Sequence, residues 1–533
     1  MKIPYLPLTP VLVILLFAIS SGCARKDFFA ATPVSDPAVR QKLEANPAGI
    51  DSVVVQAGKH YDRSSFHNLF WGEHYRPVWN APVEVAVFDM DTTKGGLKFE
   101  KLGGGFQTTS MTLTDEKGRQ YALRTLDKDP SAVLPPFLRR TFALNILRDQ
   151  TSAGNPYGAL VVAPLAAAAG IPHTMPELVY VRPHDSDFGK YEAQFSDRLF
   201  LLENKYDSEK DITPDLGNAR DIDGSGTVLH DRFDSDDVHI DQRAFAKARL
   251  FDMLIGDWDR HEGQWEWAQY KKDGETTYRP IPKDRDNAFF RFQDGLVPWL
   301  FSRNWGIRKF ESFRDDFTDV KALTINAEFI DRRALSELTR QQFDSLAQVL
   351  QSSLTDTLIT QAVHHFPDTV FELIGPEIID KLKNRRDQLP KAADEFYEIL
   401  AEEPLVVGTD QEERFVVERL NNDDTEVTVY RKSDDTIAYH RIFHRSETSL
   451  LSLYGLAGDD EFEINGKVDK GIKIKIVGGR GEDEIKDASD VRGWGKKTWV
   501  YDTKGGTELE AGPTTKDKRS NDIRVNAFDR EGF

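Results

Sequence analysis

Two short acidic clusters hold the residues whose types and spacing could do chemistry. The first is Gly256-Asp257-Trp258-Asp259-Arg260-His261, followed by Gln264-Trp265. The second is Pro282-Lys283-Asp284-Arg285-Asp286-Asn287-Ala288-Phe289. Phosphoryl transfer needs one carboxylate near an attacking hydroxyl and another on the metal that bridges the phosphates. Asp259, with His261 beside it, is the candidate for the first role. Asp286, assisted by Asp284 or Gln264, is the candidate for the second. The reading without chemistry makes these carboxylates loop-end charges paired with Arg260, Arg279 and Arg285. A metallohydrolase ranks below both, because His261 lacks a second histidine at ligand spacing.

The flanking patterns are what must position these groups. Arg243 to Ile255 reads as a helix, with Phe245, Ala248, Phe251, Leu254 and Ile255 on one apolar face. Gln264 to Gln269 alternates like a strand, Lys272-Asp273-Gly274-Glu275 makes a turn, and Thr277 to Ile281 returns as a second strand. Further upstream, a strand at Leu97 to Lys101 meets Gly103-Gly104-Gly105. Strands at Met111 to Thr114 and Gln120 to Leu126 follow, the last carrying Arg124. Glycines there let backbone N–H groups approach a phosphate without Cβ clashes, and an arginine can hold phosphate bidentately.

The pattern Asp259-x-His261-x-x-Gln264, then Asp284-x-Asp286 after a strand, resembles the catalytic and metal-binding segments of atypical kinases of the HipA and CotH types. Those families carry a D-x-H-x-x-N loop and an acidic pair similar to W-D-x-D, so Gln264 stands where asparagine is usual. Tyr121-Ala122-Leu123-Arg124 resembles the kinase V-A-I-K strand, with arginine for lysine. The resemblance spans roughly residues 97 to 390. It implies an α+β, two-lobed protein-kinase-like domain that uses ATP with Mg²⁺ or Mn²⁺. Asp259 would be catalytic, Asp286 would hold metal, Gly103, Gly104 and Gly105 would cover the nucleotide, and Arg124 would hold phosphates.

The amino terminus reads as an address. Lys2, the apolar run Val11 to Ile19 and Ser20-Ser21-Gly22-Cys23 resemble a bacterial lipoprotein signal, with Ser20 where leucine is usual. The run is short for a membrane span, and Cys23 is the only cysteine of 533 residues. The expectation is a signal peptide over 1–22 and a lipid on Cys23 that tethers the chain to the outer membrane, at its periplasmic face or the cell surface. With 29% charged residues and a net charge of -19, nucleic acid is an unfavourable partner.

The expected layout is a tether over 23–51, a β-rich lead-in over 52–96, kinase-like lobes over 97–205 and 206–403, and a mainly β domain over 404–533. Within it, Pro136 to Gln150 reads as a helix with Asp149 at its end, where it could pair with Arg124, a pairing not adopted here. Asp207 to Asp241 reads as a solvated acidic insertion. Its Asp221 to Gly226 looks like half a calcium loop without the required later glutamate. Helices fill 331–400, broken at Pro367 and Pro376, and His364-His365 is structural. The β domain repeats Gly455-Leu456-Ala457-Gly458-Asp459-Asp460-Glu461-Phe462 as Gly478-Gly479-Arg480-Gly481-Glu482-Asp483-Glu484-Ile485. Both copies resemble calcium-binding β-roll repeats but do not run in tandem. They predict a solenoid or sandwich with Gly-Asp turns, with Ca²⁺ as the minority reading. Two functions stay open: a phosphotransferase, or a non-catalytic kinase-like scaffold. The scaffold would bind the cell envelope or a partner such as an outer-membrane protein. By resemblance to larger envelope proteins in which similar segments precede outer-membrane barrels, this chain, with no barrel-length series of strands, would be the soluble part only.

Overall fold

The computed structural model describes residues 23–29, 32–45, 49–104, 108–493, 495–522 and 527–530. The expected signal segment 1–22 and Gly105 lie outside these described residues. The chain is α+β, with its carboxy-terminal part built mainly of strands in parallel and mixed sheets.

The first body is organised by a seven-stranded sheet in the order β1-β2-β6-β7-β5-β4-β3. Its strands are β1 (Ser52–Gln56), β2 (Pro82–Val87), β3 (Lys98–Gly103), β4 (Ser110–Thr114), β5 (Gln120–Thr125), β6 (Glu177–Val181) and β7 (Arg198–Asn204). Alternation along β5 buries Tyr121, Leu123 and Thr125 while leaving Gln120, Ala122 and Arg124 half-buried. Leu123 joins Leu113, Phe195, Phe200 and Leu202 in an apolar cluster, so Arg124 points from the opposite face. The region expected to be a tether is instead packed. It forms a helix, Pro37–Ala45, and buries Phe28, Val34 and Leu43, because those apolar side chains find room against the sheet.

Below the sheet, the helix Gln242–Ile255 begins at Asp241, whose side chain accepts from the Ala244 N–H. It ends at Gly256 with φ +70°. A hairpin follows, β10 (Trp265–Lys272) with β11 (Glu275–Pro282). The acidic insertion differs from the sequence expectation. It supplies β8 (Asp221–Gly224), the helix Ser225–Asp234 and β9 (Val238–Ile240), and β8 and β9 flank the hairpin in a four-stranded sheet. Asp221 to Gly224 is therefore strand rather than half an ion loop. Ile222 packs against Ala268 and Ile281, and that burial outweighs the polar surroundings.

Two helical expectations also change. The helix expected from Pro136 starts at Phe142, capped by Thr141. Pro376 lies inside one continuous helix, Asp368–Asp387, because burial of Val370, Ile374, Ile378 and Leu382 offsets the hydrogen bond that proline removes. His364 stacks on Phe371 at 4.0 Å, a structural use.

The carboxy-terminal strands coil. In β12 (Leu405–Val407), β16 (Leu450–Ala457), β19 (Lys473–Arg480), β22 (Thr498–Val500) and β24 (Thr515–Asp517), neighbours pair in parallel. A second parallel row contains β13 (Glu413–Arg419), β17 (Glu461–Asn465), β20 (Asp483–Asp487) and β23 (Thr507–Glu510). The hairpin β14 (Asp424–Arg431) and β15 (Ile437–His444) extends this row. Two short parallel strands, β18 (Lys467–Val468) and β21 (Asp490–Val491), close the coils. Leu450 pairs with Lys473 and Glu461 with Glu484, so the sequence repeat is one coil of a two-sided solenoid. The alternating residues Asp522 to Val525 also predict a strand, but they lie mostly outside the described residues and Asp522 is not in a strand.

Between the two rows Phe415 and Phe462 stack with centroids 4.5 Å apart, among Val417, Leu453, Ile474 and Ile476. Phe462→Ala is expected to cost about 3–5 kcal/mol, read as a lower urea midpoint for the transition that unfolds the solenoid.

Candidate functional site

The two acidic clusters are held together by a buried charge network centred on Asp252. Asp252 lies in the last turns of the helix Gln242–Ile255 and is fully buried. It accepts from Arg260 Nε at 3.1 Å, Arg285 Nε at 3.0 Å and Arg249 Nη1 at 3.4 Å. Arg249 in turn grips Asp331 with two bonds, at 2.7 and 3.1 Å. Arg260 also donates to the carbonyls of Lys283 at 2.7 Å and Gln264 at 3.2 Å, and its guanidinium lies 4.6 Å from the centroid of the Trp265 ring. One arginine of the first cluster thus fastens the second cluster's backbone, and one arginine of the second reaches the same aspartate. The sequence reading paired Arg260 and Arg285 with the candidate carboxylates and missed Asp252, whose place in an apolar helix gave no signal.

On this frame sit the carboxylates. Asp259 Oδ1 accepts from Asn326 Nδ2 at 2.6 Å, and Lys309 donates to the same asparagine at 3.2 Å. The Asp259 N–H donates to Asp257 Oδ1 at 3.1 Å. Asp257 is only 1% exposed, and its second oxygen has no hydrogen-bond partner. Burial pushes Asp257 up to about 7; Arg260 opposes this, while the charges of Asp252, Asp259 and Asp286 add to it. Asp257 therefore feels carboxylates from both clusters.

The second cluster meets two cations delivered by the sheet. Arg124 on β5 bridges Asp284 at 2.6 Å and Glu203 on β7 at 3.2 Å. Lys128, just beyond β5, pairs with Asp286, which also accepts from Asn287 Nδ2 at 3.2 Å. Burial alone would raise Asp284, but Arg124 and Lys128 drive it well below the usual carboxylate range. Burial and the neighbouring Asp284 charge push Asp286 up to about 6. Asp284 has φ +58°, in the left-handed region that aspartate tolerates better than most residues. Lys128 escaped the sequence reading because it lies outside the strand whose pattern marked Arg124.

The remaining candidates are placed as follows. His261 Nδ1 accepts from the Gly263 N–H at 3.1 Å, and its Nε2 lies 3.4 Å from Gln264 Nε2. These two side chains therefore partner each other within one tight turn. Gly103 ends β3 opposite Ser110. Gly104 has φ +100°, and an added Cβ there would meet Thr108 O at 2.2 Å, so only glycine fits. Asp149 does not reach Arg124; it is enclosed by Arg76, Arg63 and His67. Cys23 is exposed, and its carbonyl accepts from Asn145 Nδ2 at 3.1 Å. Among the described residues no helix is long and apolar enough to cross a membrane. Nor are three or more His, Cys, Asp or Glu side chains grouped to hold a metal ion. Asp284 and Asp286 face cations instead.

No protein-family model matches the chain, and no curated protein matches it. Among solved structures it is similar to the Helicobacter pylori proinflammatory kinase CtkA, with 10% identity and a TM-score of 0.29. That match covers 54% of this chain and 94% of that one. It is also similar to the Shewanella oneidensis HipA, HipB and operator DNA complex, with 9% identity and a TM-score of 0.25, over 56% and 67% of the two chains. Both are distant structural matches to kinase-like proteins over about half the chain.

Replacing Asp252 by Asn leaves three buried guanidinium groups short of their counter-charge. The expected loss is about 3–5 kcal/mol, measured by urea denaturation, with Glu328→Gln on the exposed Arg332 pair changing stability by under about 1 kcal/mol.

Proposed function

We propose that the chain is a metal-dependent, kinase-like phosphotransferase of the bacterial cell envelope. The observation that carries this reading is the double clamp, Arg124 on Asp284 and Lys128 on Asp286, across the seam between the sheet and the loop after β11. A nucleotide with Mg²⁺ or Mn²⁺ matches both halves of the clamp. The cation suits Asp284 and Asp286, and the phosphates suit Arg124 and Lys128. Asp259, held by Asn326, orients the acceptor hydroxyl. Gly103 and Gly104 offer backbone amides at the open end of the sheet. A lipid on Cys23 holds the protein at the outer membrane.

A second reading is a kinase-like scaffold without catalysis, serving an outer-membrane partner. It is favoured by His261 and Gln264, which satisfy each other rather than the carboxylates.

Thermal unfolding of the chain from residue 23, with Cys23→Ser, separates the two. ATP with Mg²⁺ or Mn²⁺ at about a hundred times its Kd stabilises by roughly 2.7 kcal/mol and raises the Tm by a few degrees. Lys128→Ala and Asp286→Ala are each expected to abolish that rise. No rise with any nucleotide tested leaves the scaffold. Mass spectrometry of the membrane-extracted protein tests the anchor: an acyl mass on the peptide starting at Cys23 is expected, and an unmodified thiol rejects it.

A further inference from the structure

The solenoid buries a row of carboxyl groups that, among the described residues, form no salt bridge. Glu413, Asp460 and Asp483 stand at the same corner of successive coils, each one residue before or at the start of a paired strand. They are 0%, 1% and 2% exposed, and Asp502 beside them is 7% exposed. One oxygen each of Glu413, Asp460 and Asp483 is satisfied by the coils, and Asp502 accepts at both of its oxygens. Glu413 N–H donates to Asp460 Oδ1 at 2.8 Å, and Asp460 N–H to Asp483 Oδ1 at 3.1 Å. Thr409 N–H donates to Glu413 Oε1 at 3.1 Å, and Gly478 N–H to Asp502 Oδ2 at 3.1 Å. The other oxygens, Glu413 Oε2, Asp460 Oδ2 and Asp483 Oδ2, are buried without any hydrogen-bond partner.

Those orphaned oxygens point into cradles made by glycines. An added Cβ would meet Glu413 Oε2 at 2.5 Å from Gly408, and Asp460 Oδ2 at 2.1 Å from Gly455. At Gly478 the same point lies 2.2 Å from Asp502 Oδ2 and 2.3 Å from Asp483 Oδ2, so two carboxyl groups share one space. Nearby cations relieve the row only in part, where Arg232 faces Glu413 and Lys432 faces Asp460. Asp236 and Arg232 of the helical body face Glu413, and Asp459 faces Asp483. Lys432 is taken up by Glu412, Glu461 and the Asp459 carbonyl. Among the described residues none of the four carboxyls has a salt bridge, and no group suited to a metal ion is present. Ionised carboxylates buried this way carry a penalty of several kcal/mol each, so another source of neutralisation is required.

We propose that this row is a proton-binding site, in which carboxyl neighbours share O–H···O bridges at neutral pH and so couple the stacking of the coils to pH. Glu413 with Asp460, and Asp483 with Asp502, are the bridging pairs. Each bridge needs one retained proton, which leaves to solvent when the bridge breaks. Burial, with repulsion from the neighbouring carboxyls, pushes Asp460 up to about 9 and Glu413 and Asp483 to about 7, and it raises Asp502. The sign follows from linkage. The folded coils hold protons that an opened chain releases above the ordinary carboxylate range, near 4. Their stability is therefore full in acid and declines as pH rises through 7 to 9. Because Asp410 N–H donates to the Phe233 carbonyl, and Arg431 pairs with Asp237, the first rung lies where the solenoid docks on the helical body.

The test is amide hydrogen exchange of the chain from residue 23 with Cys23→Ser, followed at residues 450–487 between pH 6 and 8 and corrected for intrinsic rates. The opening constant is expected to rise about tenfold per pH unit for each proton retained. Asp460→Asn should flatten that slope and Glu508→Gln, on an exposed position of β23, should leave it unchanged. An opening constant independent of pH overturns the proposal. So does an opening constant that CaCl₂ lowers and EDTA raises more than tenfold, since a bound cation would then do the neutralising. Should Asp460→Asn fail to fold, carbon-13 carboxyl shifts of the unsubstituted chain decide instead. Titration of Asp460 and Asp483 above pH 6 is expected, and titration of both near 4 overturns the proposal.

Discussion

The site depends on one buried aspartate. Two acidic loops separated by a hairpin have no intrinsic reason to stay in register. Asp252 supplies one, because Arg260 and Arg285 come from opposite loops and both need it. A guanidinium in a dry interior must keep its counter-charge, so neither loop can leave without a large desolvation penalty. Arg249 and Asp331 extend the constraint to the helices behind, and the outcome is a rigid floor under Asp257 and Asp259.

Above that floor the design is different. Arg124 and Lys128 are carried by the sheet, not by the helical body, and their partners Asp284 and Asp286 remain about a quarter exposed, at 27% and 21%. Ion pairs at such an edge are weaker than those around Asp252 and easier to exchange. Permanent charges are thus locked where the loops must be fixed, and exchangeable ones are left where a charged ligand could compete.

The solenoid treats buried acid in a third way. The first body pairs its buried carboxylates with arginine, as at Asp252 and Asp331, or with mixed cations, as at Asp149. The coils stack carboxyls on carboxyls with only backbone amides and a threonine hydroxyl to help. Parallel coils place equivalent residues directly above one another, so an acidic corner in one repeat becomes a row in several.

Much of the architecture was legible in the residue pattern. The helix ending at Gly256, the hairpin after Trp265 and the alternation of β5 follow from local periodicity and turn chemistry, which act over a few residues. The repeat starting at Gly455 and Gly478 pointed to a solenoid or a sandwich, and the parallel pairing decided for coils. The sequence also named Arg124, Asp259, Asp284 and Asp286 as a group, since loop-end acids and a strand-borne cation stand out without knowledge of neighbours. Long-range packing decided the rest. Lys128, Asn326 and Asp252 acquire their roles only from partners 158, 67 and 8 residues away, and two segments of the insertion at 207–241 became strands because the hairpin offered them two free edges. Hydrogen-bonding capacity and burial belong to the folded surface, so the sequence determined which groups were available and the tertiary structure decided which of them meet.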